Sequence, residues 1–348
     1  MTDDSVLAIR LPLPHIGSVN AWLLRGEPLT LLDTGPNSEE ALAALEDRLA
    51  RAGVRVEDIE LVLATHHHLD HVGLAATIRR RSGARVAVLA GVADYGAAYH
   101  ANIELDRRFS RALMAAHGVP ELVADANEDF WGFIRSNSAD FEADVRLADG
   151  DVIRAGGRDL DVVARPGHSP TDTLFVDAAA RLAFVGDHLL AGVSSNTEIA
   201  PVSAAERPRP RTEYLRNLRR TAAMPLDTLL TGHGRLVSSH RALVEVRIAE
   251  HRRRAARIAA ILLGGPQSAY AIAERLWPER TVREQPLLVV WEVLGHLEIL
   301  IASGLARELV GEDGLRRFAL AGGDKGAAPR PPRRRVHADT RSARARVR

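Results

Sequence analysis

Residues 65–71 read Thr-His-His-His-Leu-Asp-His, and this heptad limits the fold more than any other stretch. His66, His68, Asp70 and His71 place three imidazoles and a carboxylate within six residues, too many polar groups for a core strand. Divalent metals of borderline softness accept this mixture of nitrogen and oxygen donors. The preceding run Ile59-Glu60-Leu61-Val62-Leu63-Ala64 predicts a buried strand, and Val72 to Arg79 has the apolar spacing of a helix start. The cluster is therefore expected on a loop leaving the carboxyl end of a strand, where α/β sheets carry their sites.

Side chains alternate with period two in extended chain, so His66 and His68 point the same way and can share one ion. Asp70 and His71 follow the turn and suit a second. Further donors stand beside glycine after other apolar runs. These are His168 in Pro166-Gly167-His168-Ser169, Asp187 after Phe184-Val185-Gly186, and His233 in Thr231-Gly232-His233-Gly234. Glycine there lets backbone approach an ion closely.

In this order, H-x-H-x-D-H, P-G-H-S, G-D and G-H-G resemble the metallo-β-lactamase superfamily, in its glyoxalase-II-like hydrolase branch. Val19 to Leu24 and Leu31-Leu32-Asp33-Thr34-Gly35 resemble that family's opening strands, so the similarity spans roughly residues 8–240. The resemblance implies an α/β fold, the metallo-β-lactamase αββα sandwich, with two divalent metal ions. Zinc is the expected metal, although iron and manganese use the same donors. Carried over position by position, His66, His68 and His168 hold the first ion, Asp70, His71 and His233 the second, and Asp187 bridges them. Asp33 matches a position that orients a ligand. The bridging aspartate argues against true β-lactamase action. Many relatives continue P-G-H-S-P with glycine and histidine, whereas this chain has Thr171-Asp172-Thr173, so Asp172 is a candidate for altered support or charge. His188, beside Asp187, is a candidate substrate contact, and His67 is expected to face away.

Two ions held close together generate hydroxide from water near neutral pH, polarise a carbonyl or phosphoryl oxygen and stabilise the oxyanion. Asp70 or Asp187 serves as the catalytic proton acceptor. The chain has no cysteine and no G-x-S-x-G motif, so no separate nucleophile is visible. Hydrolysis is the reading.

The remaining sequence divides around this core. Residues 1–240 form the expected catalytic domain, interrupted at about 92–141 by helical, aromatic-rich sequence. Tyr95, Tyr99, Phe109, Trp131 and Phe133 are candidates for a lid whose apolar face shapes a pocket, or for a helical pair packing its own small core. Residues 241–322 read as a small winged helix: a basic helix, a short helix, a third helix over about 286–303, and a wing around Glu312-Asp313-Gly314. That arrangement resembles the C-terminal domain of beta-lactamase-like hydrolases, including an endoribonuclease. The third helix has no Arg or Lys between Glu284 and Ala306, which disfavours DNA reading because phosphate contacts dominate such affinities. Packing, a homodimer contact or cleft closure suits it better.

Residues 325–348 hold nine basic residues against Asp339, a charge of +8, so residues 1–324 carry −7 of the net +1. This proline-containing tail is expected to be disordered. No apolar run reaches a membrane-spanning length, and an acidic start without an apolar core makes cytoplasm the expected compartment. The expected substrate is a small ester, thioester or lactone with an apolar moiety. The alternative is single-strand endoribonuclease action, which requires a basic path to the metals.

Overall fold

The computed structural model describes residues 5–14, 17–125, 127–201 and 209–322; the basic tail lies outside them. A first sheet orders β1 (Val6–Leu13), β2 (Gly17–Leu24), β3 (Thr30–Leu32), β4 (Leu61–Ala64), β5 (Arg85–Leu89) and β6 (Val145–Leu147) side by side. β1 to β3 pair antiparallel and β3 to β6 parallel. Parallel pairing requires crossovers. Helix α1 (Glu39–Arg51) lies between β3 and β4, and α2 (Leu69–Val72) and α3 (Ala75–Ser82) between β4 and β5. All four residues of β4 are buried, as an apolar run in a parallel strand demands.

α1 starts where Ser38 accepts from the Ala41 amide, and Glu39 and Glu40 fill its first turn, the side-chain cap and charge placement that stabilise a helix start. The insertion between β5 and β6 forms α4 (Ala90–Gly96), α5 (Tyr99–Ala116), α6 (Glu121–Asp125) and α7 (Glu128–Ser136). A second sheet runs in the order β11 (Thr228–Thr231), β10 (Leu182–Gly186), β9 (Thr173–Asp177), β8 (Arg158–Ala164), β7 (Val152–Ala155). α8 (Pro210–Ala222) is the crossover between the parallel pair β10 and β11.

Period-two alternation sorts residues into layers. Trp22, Leu24, Leu32, Leu61 and Leu63 face Leu160, Val162, Phe175, Phe184 and Leu230 between the sheets. Trp22 and Phe184 meet edge to face with centroids 6.1 Å apart. Their neighbours Leu23, Leu31 and Val62 pack outward with Leu45, Leu49 and Ile78 of α1 and α3. On the other side Leu174, Val176 and Leu229 pack with Tyr214, Leu218 and Val244. This is the expected αββα sandwich.

After the second sheet come α9 (His240–Leu262), β12 (Gln267–Ser268), α10 (Ala269–Leu276), α11 (Glu279–Glu284), α12 (Pro286–Ala302), β13 (Ala306–Val310) and β14 (Arg316–Leu320). The three strands make a small sheet in the order β12, β14, β13. α11 is an addition to the sequence reading. Only Val282 is buried in it, so it has no apolar stripe, and exposed Arg280–Glu284 and Arg283–Glu279 pairs flank it. α12 is buried on most of its circumference, including Leu287, Val290, Trp291, Leu294 and Leu297, as a helix apolar all round must be. It therefore has no free face for a nucleic-acid groove. The C-terminal residues Ile258, Ile272 and Leu297 share one core with Ile103 and Met114 of the insertion and Leu45 of α1. Among the described residues, no helix is long and apolar enough to cross a membrane.

Candidate metal centre

β4 delivers the histidine loop, and Asp33 anchors it. The Asp33 amide continues the parallel ladder by donating to the Leu63 carbonyl at 2.9 Å. Its backbone has φ 61, a left-handed conformation that costs free energy and that aspartate tolerates better than most residues. The buried Asp33 carboxylate accepts from the Thr65 amide at 2.8 Å and from the Thr65 hydroxyl at 3.0 and 3.1 Å. It also faces His71 Nδ1 at 2.8 Å. One carboxylate thus holds both ends of the heptad.

Ring orientations follow from the second nitrogen of each histidine. Thr65 has spent its proton on Asp33, so it accepts from His66 Nδ1 at 3.1 Å. His168 Nδ1 donates to the Asn196 carbonyl and His233 Nδ1 to the Ser18 carbonyl, both at 2.8 Å. These contacts require Nδ1–H, so in the neutral rings of His66, His71, His168 and His233 the Nε2 lone pairs face inward. His68 presents Nδ1 instead, 3.1 Å from both His66 Nε2 and His168 Nε2.

Two donor groups result, with Asp187 between them. His66, His68 and His168 form one, and Asp70, His71 and His233 the other, each with donor atoms within 4.8 Å of one another. Asp187 Oδ2 lies 3.3 Å from His233 Nε2 and 3.7 Å from His168 Nε2, while Oδ1 lies 3.7 Å from His71 Nε2. Asp70 Oδ2 is 3.1 Å from His233 Nε2.

The residues fit a cation. His71 Nε2 and Asp187 Oδ1 are buried and have no hydrogen-bond partner among the described residues, a costly state unless another species takes their lone pairs. A Cβ on Gly232 would stand 2.4 Å from Asp187 Oδ1 and 2.7 Å from His71 Cε1, so only glycine leaves this space open. Burial pushes His71 down, but Asp33, Asp70 and Asp187 outweigh it and raise it to about 9. Burial likewise lowers His233, and Asp187 and Asp70 reverse that, to about 11. Burial pushes both aspartates up, yet the histidines hold Asp187 at about 2 and Asp70 below its ordinary value. The carboxylates therefore draw positive charge into this cluster, as protons on the imidazoles or as a cation in their place.

The other candidates separate. Asp172 is buried beneath the Pro166–Pro170 turn, where its carboxylate accepts from the His168 amide at 2.8 Å and the Ser169 hydroxyl at 2.6 Å. It supports a donor-bearing loop. His188 does not join the site. The chain turns after Asp187, and the His188 ring is fully buried with Nε2 2.9 Å from the Thr221 hydroxyl. His67 also turns from the donors, with Nδ1 2.8 Å from the Thr171 hydroxyl. Tyr99 is buried and donates to the His67 carbonyl at 2.9 Å, while Tyr95 lies against the His67 ring at 4.2 Å. Trp131 is core and Phe109 packs against that core, whereas Phe133 is half-buried. Tyr95 and Tyr99 alone among these aromatics back the histidine loop.

Glu198 escaped the sequence reading. Its carboxylate lies 3.5 Å from both His67 Nε2 and His68 Nε2, too long for a directed hydrogen bond but close for a charge. No motif marks it. A second buried group, His251, Glu292 and His296, already contains two guanidinium groups, since Arg211 and Arg254 pair with Glu292.

Residues 16–233 match the family model of the metallo-beta-lactamase superfamily. The chain belongs to the metallo-beta-lactamase superfamily. Probable metallo-hydrolase YqjP of Bacillus subtilis is 34% identical over 87% of this chain and 94% of its own length. A hydroxyacylglutathione hydrolase of Cereibacter sphaeroides is 31% identical over 57% of this chain and 54% of its own. The metallo-beta-lactamase family protein TTHA1429 of Thermus thermophilus superimposes with TM-score 0.79 and 27% identity, covering 92% of this chain and all of that one. Similarity at this superfamily's full-length level therefore reaches past the sandwich into the C-terminal helices.

Proposed function

We propose that this superfamily member is a dinuclear metallo-hydrolase that cleaves acyl thioesters, with related esters and lactones as the neighbouring class. The observation that carries the reading is Asp187, whose two oxygens face both donor groups at once. His66, His68 and His168 would hold one divalent ion, and Asp70, His71 and His233 the other. Zinc suits these ligands best. When bound, such a pair activates water and polarises the substrate carbonyl.

The chain's own groups then have defined tasks. Asp33 keeps His71 Nε2 turned inward. Asp70 and Asp187 are ionised, so either accepts a proton from water. The water oxygen bonds to the acyl carbon, the carbon–sulfur bond breaks, and the leaving sulfur takes the proton. The named activity of the Cereibacter relative, on an acylated glutathione, supports the thioester choice.

The test is turnover of a hydrophobic acyl thioester by the zinc-loaded enzyme, with single-stranded RNA alongside. Thioester cleavage that stops with chelator and returns with zinc is expected, with RNA intact. RNA cleavage without thioester cleavage would overturn the reading.

A further inference from the structure

Segment 194–198 is clamped between the metal centre and the C-terminal helices. Toward the centre, the Asn196 carbonyl accepts from His168 Nδ1 at 2.8 Å and the Glu198 amide donates to the His168 carbonyl at 2.8 Å. The Ser195 hydroxyl donates to the Asp187 carbonyl at 2.5 Å. Toward the C-terminal helices, Asn196 Nδ2 donates to the Leu288 carbonyl of α12 at 2.9 Å.

Arg211 completes the clamp. It is fully buried, and its guanidinium donates to Asn196 Oδ1 at 3.1 Å, to the Ser195 carbonyl at 3.3 Å and to Glu292 of α12. Arg254 of α9 pairs with the other Glu292 oxygen. Glu298 of α12 accepts from the Thr212 amide at 2.8 Å and the Arg211 amide at 3.3 Å, capping the start of α8. A Cβ on Gly295 would stand 2.9 Å from Arg211 Nε, so α12 approaches this closely only with glycine there.

We propose that Arg211, Asn196 and Glu292 are positioning residues that make α12 part of the apparatus aligning His168. The C-terminal unit thereby tunes one metal of the pair and not the other. The inference rests on the dinuclear reading, because it acts through a proposed ligand. Among the described residues, His168 is the one proposed ligand whose side chain is hydrogen-bonded to this segment; Ser195 reaches Asp187 at its backbone carbonyl and not at its carboxylate, and His71 and His233 are held by Asp33 and Ser18. Uncoupling α12 therefore loosens one ion selectively. A merely structural clamp, by contrast, affects both ions in proportion to lost stability.

The experiment uses the full chain loaded with zinc and challenged with a chelating dye, with thermal midpoints recorded in parallel. Asn196→Ala truncates a half-buried loop side chain and leaves no core cavity; Glu292→Gln keeps the shape of its residue and removes the charge. Faster release of one equivalent, by up to about tenfold, with the other unchanged, is expected: the Asn196 carbonyl behind His168 is kept but loses its anchorage to α12 and Arg211, so the effect falls at the low end of that for losing a group behind a metal ligand. Cobalt-loaded Asn196→Ala should also show altered visible bands. Unchanged release in a folded variant, or equal loosening of both equivalents alongside a fallen midpoint, would overturn the proposal. Fewer than two equivalents in the unsubstituted chain would overturn the dinuclear reading itself, and this inference with it.

Discussion

At the scale of single residues, burial decides which polar groups matter. Asp187 and Glu198 are both carboxylates facing imidazoles, but only Asp187 faces both donor groups. Asp187→Asn keeps the shape and removes the charge, so kcat for thioester hydrolysis is expected to fall by about 10²–10⁴-fold, the usual range for a lost proton acceptor. Retained activity in a folded Asp187→Asn protein would remove the residue from that role. Glu198→Gln should weaken zinc affinity by about 10–100-fold, because the charge behind His68 is lost; dye competition measures this. His71 and His233, raised to about 9 and about 11 by their carboxylates, are protonated at pH 7 without metal. Zinc must displace those protons, so binding strengthens as pH rises and releases protons at pH 7. Calorimetry in buffers of different ionisation heat reads the release, and its absence would contradict the assignment.

At the scale of elements, legibility tracked locality. The histidine loop, the P-G-H-S turn, Gly186-Asp187 and Gly232-His233 were visible because each pairs a short motif with the end of an apolar run. Their gathering is physical: β4, β8, β10 and β11 end at one rim of the sandwich. Glu198 and Asn196 were invisible because loop folding brings them in, and Asn196 contributes a carbonyl that any residue possesses. His188 misled through adjacency to Asp187, since the turn sends its ring to Thr221. The insertion aromatics showed the right composition, but composition does not say which face is covered, and Trp131 went to the core. Gly232→Ala tests the rim directly. A methyl group 2.4 Å from Asp187 Oδ1 forces a shift costing about 1–3 kcal/mol, and should lower both thermal midpoint and metal affinity.

At the scale of the whole molecule, the outer face of the first sheet, the insertion and the C-terminal helices share one continuous core, and Glu292 is a buried charge where α8, α9 and α12 meet. Burial alone would raise its carboxyl, but Arg211, His296 and Arg254 hold it at about 2, below the ordinary 4.5. A depressed carboxylate contributes stability that is present above its ordinary value and lost as pH falls through the depressed one. The chain should therefore lose stability between about pH 4.5 and 2, and acid titration of unfolding should show a shallower loss in Glu292→Gln. Removing the charge's partners is more damaging, about 3–5 kcal/mol for one side of a buried pair.

A rim that holds two ions is directly countable. Its most direct measurement is the zinc-to-protein ratio of the full chain after loading and exhaustive dialysis, taken together with Asp187→Asn. Two zinc ions per chain are expected, and fewer in the variant. A single zinc in the unsubstituted chain, or an unchanged ratio in Asp187→Asn, would contradict the dinuclear rim.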